Sequence, residues 1–225
     1  MTPEVESALS LTSRDLAPPV QIALLLGAMS LLSAAFVTLT AFTRIAIVLS
    51  FVRRALSTQE IPPNQVMLGL ALFMTLFVMA PTFEELQLQA VQPYLNGDVT
   101  SIEAWAKAAR IQSHFMLQHT READLQLFLD LGEYPDPVEP AATPLLALIP
   151  AFIISELRTA FLMGFCLFLP FVVIDLVVSM ILMALGMMMM PPVVISTPCK
   201  LLLFVMIDGW HLLARALCLS FRVVA

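Results

Sequence analysis

Charge is scarce in this chain. Only 12% of its 225 residues are Asp, Glu, Lys or Arg, against 60% hydrophobic residues and a mean hydropathy of +0.91. Soluble domains carry charge on about a quarter of their residues, so this is the composition of a membrane protein. Basic residues number 11, and they form no cluster dense enough for a nucleic-acid footprint, which excludes that partner class. Cysteine is limited to Cys166, Cys199 and Cys218, far apart and each inside an apolar segment. They read as small core hydrophobes rather than a disulfide framework or metal site. No HExxH, GxSxG or phosphate-loop lysine occurs, so no catalytic residue and no cofactor is expected. His114 and His119 are five apart, about 140° around a helix, which is poor geometry for a shared metal ion. The N-terminal residues Glu4, Glu6, Arg14 and Asp15 do not form the basic region and short apolar run of a cleavable signal peptide.

What is present is apolar sequence in two blocks around an acidic insert. Residues 82–143 hold ten carboxylates and three bases, a net of −7, while the rest holds seven carboxylates and eight bases, a net of +1. Four regions follow: a polar N-terminal segment over 1–19, a first apolar helical hairpin over 20–81, the insert over 82–143, and C-terminal apolar helices over 144–225. The first run extends from Val20 to Val52, broken only by Arg44; the second, from Val66, is expected to stop at Pro81. In the insert, Ile102, Trp105, Ala109 and Met116 recur at helical spacing, as do Leu125, Phe128 and Leu129, which predicts short amphipathic helices. No strand-period stretch and no internal repeat is found, so the fold class is all-α. Arg44, Arg53 and Arg54 place the first turn on the cytoplasmic side and the insert on the opposite, periplasmic side.

The charges inside the apolar runs suit lipid poorly. In the window 147–165, nine Leu, Ile or Phe residues favour insertion by roughly 3–5 kcal/mol, while Glu156 and Arg158 cost about 5–7 kcal/mol on the same scale. Such groups face protein or a water-filled path. Arg44, Arg158, Asp175, Lys200 and Asp208 are accordingly expected to be buried charges. Glu156, Ala160 and Gly164 share one helical face, a stripe that admits close approach by another helix, either from a neighbouring subunit or from the same chain. An alternative use of these groups is a proton or ion relay through Glu156, Asp175, Asp208 and His211 in a coupled transporter.

One stretch, MALGMMMMPPVV over residues 183–194, combines a helix-ending glycine, four methionines and two prolines. Irregular backbone at membrane depth survives only when buried in protein or lining a cavity. Met187, Met188, Met189 and Met190 therefore line a channel as a compliant seal, or fill a tight helical turn.

The strings TAFTRIAIVLSFVRRALSTQEIPPNQVMLGLALFMT (40–75), FMLQHTREADLQLF (115–128), SELRTAF (155–161), DLVVSMILMALGMMMMPPVV (175–194) and KLLLFVMIDGW (200–210) resemble the FliP family, the flagellar export-gate proteins of type III secretion. The resemblance covers nearly the whole chain after residue 20. It implies a homopentamer capped by FliR and bordered by FliQ, forming a ring-like helical gate with other export-apparatus membrane proteins in the bacterial inner membrane. That gate, at the flagellar basal body, passes unfolded flagellar proteins. It further implies that Met187, Met188 and Met189, with Met190 by adjacency, form a gasket around the closed pore, and that Glu156, Phe115 and Phe128 belong to subunit packing. Ser57 and Cys199 depart from the family's usual glycine and phenylalanine.

Overall fold

In a computed structural model, described over residues 18–58, 61–135, 137, 142–187 and 190–222, the chain is all helical, with no strand among the described residues. It divides into two compact units, residues 1–37 and 38–225. The first unit is represented by most of helix α1, Pro18–Leu39, an apolar helix with Leu24, Leu25, Leu26 and Leu31 exposed.

The second unit is built around α2, Phe42–Ala55, and α7, Leu145–Ala184, which make the most extensive helix pair in the chain. On α2, Ile45, Val48, Leu49 and Val52 fall at helical spacing and are buried, so one face of a 14-residue helix supplies much of the core. Leu148, Phe152 and Ala160 answer from α7. Gly164 lets the two helices approach: a Cβ there would stand 2.5 Å from the Phe51 ring. Gly164→Ala should therefore lower stability by about 1–3 kcal/mol through overpacking. Gly69→Ala, where nothing lies within 4 Å, should be neutral or slightly stabilising. Unfolding of the two detergent-solubilised variants side by side checks the contrast.

The sequence boundary expected at Pro81 does not hold. Helix α3, Asn64–Leu86, runs through Pro81 and continues as a π-helical stretch, Gln87–Val91, into the short α4, Gln92–Leu95. Pro81 removes one N–H from the ladder, the one that would pair with the Phe77 carbonyl, and the helix carries on past it. The insert folds as α5, Ser101–His119, and α6, Glu122–Leu131. Thr100 caps α5 with a reciprocal box: its hydroxyl accepts from the Glu103 N–H, and the Glu103 carboxylate accepts from the Thr100 N–H at 2.9 Å. That backbone hydrogen bond holds the Glu103 carboxyl below its ordinary range. Its contribution to α5 is thus present above that range and fades as pH falls through the lowered value.

Helix α7 has 40 residues, about 60 Å long and roughly twice the hydrocarbon thickness. It contains Pro150 and Pro170. Helices α8, Pro192–Met206, and α9, Gly209–Ser220, are bent by 65° at a break where Asp208 takes a left-handed conformation (φ 51°). Among the described residues three helical segments, Pro19–Leu39, Asn64–Leu95 and Leu145–Ala184, are long and apolar enough to cross a membrane, and the bent pair makes a fourth if counted as one span.

Candidate functional site

Two charged clusters and one backbone break stand out inside this apolar frame. The first cluster begins with Arg44, on the buried face of α2, and Glu156, fully buried on α7. Arg44 Nε donates to Glu156 Oε2 at 2.9 Å, and Nη2 donates to Oε1, so the pair is bidentate. Arg44 Nη1 donates to the Ser220 carbonyl at 2.9 Å and to Ser220 Oγ at 3.0 Å. The guanidinium lies 3.9 Å from the centroid of the Phe221 ring. His119, at the end of α5, packs between Phe115 and Phe221, with ring centroids 4.6 and 5.3 Å away. Beside Glu156, buried Ser155 Oγ donates to Asp124 Oδ2 at 2.7 Å and accepts from the Arg121 N–H at 3.0 Å. Arg121 caps α6 without a side-chain bond of its own, so a serine of α7 satisfies the helix start instead. The first cluster therefore ties α2, α5, α6 and α7 to the end of α9.

The second cluster centres on Lys200 of α8, 1% exposed. Its Nζ donates to Asp175 Oδ2 of α7 at 2.6 Å and to Ser57 Oγ at 2.7 Å. Ser57 follows α2 in a left-handed conformation (φ 56°) that glycine adopts more cheaply. Its hydroxyl gives the buried ammonium a second acceptor, which accounts for a serine at this strained position. Asp175 Oδ1 and Ser196 Oγ are buried without a hydrogen-bond partner among the described residues.

Asp175 and Lys200 also bracket the methionine stretch. Helix α7 ends at Ala184, and Gly186 turns left-handed (φ 73°). The Gly186 N–H then donates to the Met183 carbonyl at 3.1 Å and the Met187 N–H to the Leu182 carbonyl at 3.0 Å, the paired closure of a glycine-ended helix. Pro191 caps α8 and Pro192 is its first residue. Met187 and Met190 project from this break, 41% and 39% exposed. Met188 and Met189 lie outside the described residues. A small residue for the turn and rigid prolines to restart the helix fix the two ends of the break.

The geometry places the sequence-predicted residues as follows in the single chain. Glu156, Phe115, Ala160 and Gly164 are buried by helices of the single chain, and Phe128 is half-buried. Phe115 packs edge-on to Phe152 at 6.1 Å. The small-residue stripe thus receives α2 of the same chain. Of the five charges expected to be buried, Arg44 and Lys200 are, and Asp175 is half-buried. Arg158 and Asp208 are exposed in the single chain. Arg158 stands two residues from Glu156 and so points away from it around the helix, while Asp208 sits at the bend before α9. The relay set is not assembled, because Glu156 and Asp175 are taken by different cations and His211 is exposed. Among the described residues no three His, Cys, Asp or Glu side chains are grouped to hold a metal ion. Ser57, Ser155, Ser220 and Phe221 complete the clusters without any spacing signal, since their partners are distant in sequence.

A family model described as the FliP family matches residues 25–217, an extent that takes in both ion pairs and the whole methionine break. The chain belongs to the FliP family. Among its FliP relatives, a flagellar biosynthetic protein FliP of Bacillus subtilis is 49% identical over 202 residues, 90% of this chain and 91% of the relative. The protein of the same name from Pectobacterium carotovorum is 50% identical, covering 90% of this chain and 78% of the relative. That of Aquifex aeolicus is 40% identical over 210 residues, 92% and 88% of the two chains. Ser220 and Phe221, which engage Arg44, lie just beyond the FliP-matched residues.

Proposed function

We propose that this chain is a structural pore subunit of the flagellar type III export gate, conducting unfolded flagellar proteins across the bacterial inner membrane. It works as a homopentamer with FliR and FliQ, its insert on the periplasmic side, and does no chemistry of its own. Membership of the FliP family supports the flagellar role. The observation that carries the pore reading is the break between α7 and α8. Met187 and Met190 are exposed there on irregular backbone, which hydrocarbon would not tolerate. Four unbranched thioether side chains close on one another when the path is empty and yield around cargo of varied shape.

A second support is the amount of apolar surface left open. Along α7, Phe161, Leu162, Phe165, Val173, Leu176 and Met183 are all at least 55% exposed in the single chain. Such continuous exposure calls for lipid or further subunits. Imaging of the detergent-extracted complex tests the reading. The expected result is a ring with a closed axial constriction at the methionine break; a monodisperse single chain, or a ring with that break on its outer wall, would overturn it.

A further inference from the structure

The insert presents an electrostatic problem that the ring reading sharpens, and the structure contains a feature that answers it. Two adjoining cavities of about 320 and 290 Å³ form a groove between the π-helical stretch and α5, sharing Gln89, Arg110 and Ile111. Lys107, Arg110 and His114 all line it, and their spacing puts them on one side of α5. The single carboxylate in the lining, Glu85, accepts a hydrogen bond from the Gln89 amide at 2.9 Å. Neither Lys107 nor Arg110 makes a salt bridge among the described residues. Lys107 feels the Glu103 carboxylate, but that group is engaged by Thr100. The third base of the insert, Arg121, is paired with Asp124 at 3.7 Å. An insert of net charge −7 thus gathers its two uncommitted cations in one groove.

The complementary feature lies at the end of α6. That helix has no basic residue in its last turn, and exposed Asp130 and Glu133 stand at its C-terminal end, where the helix dipole is already negative. Among the described residues only one Asp130 oxygen is engaged, by the Gln126 amide at 3.0 Å. Carboxylates in that position are unfavourable unless a cation covers them.

We propose that the groove receives the acidic end of α6 from a second copy of this chain. Groove and helix end are different surfaces, so the contact is head-to-tail, the kind that closes into a ring of identical copies. Each copy offers its groove to one neighbour and its acidic helix end to the other, which offsets the repulsion between adjacent inserts. This inference rests on the ring-forming reading above.

The test is assembly of the full chain in neutral detergent, followed by native mass spectrometry. Lys107→Glu with Arg110→Glu should lower the assembled fraction about tenfold at low ionic strength, and the deficit should shrink toward ~1 M salt, where the Debye length is about 3 Å. Adding Asp130→Lys and Glu133→Lys to the same chain should restore assembly. Circular dichroism of each variant shows that the helices are intact. The neutral pair Lys107→Gln and Arg110→Gln should fall between the extremes. Normal assembly of the reversed chain, or no recovery in the four-fold variant, overturns the contact while leaving the ring reading intact. Unchanged assembly with loss of a co-purifying anionic phospholipid assigns the groove to a headgroup and overturns it equally. An unaltered chain that never assembles removes both readings.

Discussion

Replacing Glu156 with alanine is expected to cost about 3–5 kcal/mol, the penalty for stranding one member of a buried ion pair. That is a large share of the 5–15 kcal/mol that holds an ordinary domain folded. The reason is geometric. Arg44 is 3% exposed, and it spends two of its nitrogens on Glu156. Without the carboxylate, the guanidinium keeps only Ser220 and the face of Phe221. Arg44→Ala should be as damaging, because it strands the fully buried carboxylate. Replacing both residues with apolar side chains of similar volume, Arg44→Met with Glu156→Leu, should recover most of the loss. Denaturant unfolding in detergent of Arg44→Met, Glu156→Leu and the two combined checks this as a double-mutant cycle, beside the alanine variants. A Glu156→Ala chain as stable as the unaltered one, or a double variant worse than either single one, would show that the pair is not closed in the folded subunit.

Asp175→Ala is expected to be nearly as severe, about 3 kcal/mol or more, and the Lys200 cluster should respond asymmetrically. Lys200 Nζ has two acceptors, Asp175 and Ser57, and its side chain is 2% exposed, whereas that of Asp175 is 39% exposed. Removing the carboxylate leaves a buried ammonium with one hydroxyl. Removing the charge from the other side, by Lys200→Met, leaves a carboxylate that still reaches the surface, and the methionine keeps the packing of the lysine stem. Asp175→Ala should therefore lower the unfolding midpoint clearly more than Lys200→Met. Because these residues clamp the two helices that flank the methionine break, Asp175→Ala should also increase protease cleavage within residues 185–191. Equal destabilisation by the two changes would mean that burial does not set the balance.

Much of this architecture is legible in the sequence where the chemistry is local. Gly186 ends α7, and Pro191 with Pro192 starts α8, because turn and restart depend only on the conformational range of those residues. The all-α class follows from periodicity in the same way. Pro81 misleads for a physical reason: one missing N–H is a smaller loss than ending a long apolar helix.

Long-range partners are not legible. Arg44 and Glu156 are 112 residues apart, and Lys200 and Ser57 are 143 apart. The stripe of Glu156, Ala160 and Gly164 marks a packing face, but the spacing is the same whether the incoming helix belongs to a neighbour or to the chain itself. Phe51 against Gly164 shows that α2 of the same chain occupies it. Arg158 lies on the far face from Glu156, because an interval of two residues turns a helix by about 200°.

Ion flux through the assembled complex, reconstituted in lipid vesicles, addresses the pore reading most directly. On the proposed reading, a chain carrying alanine at Met187, Met188, Met189 and Met190 should assemble like the unaltered one yet pass small solutes that the unaltered complex holds back. If the alanine variant assembles fully and holds an ion gradient as tightly as its parent, the methionine break is not the seal.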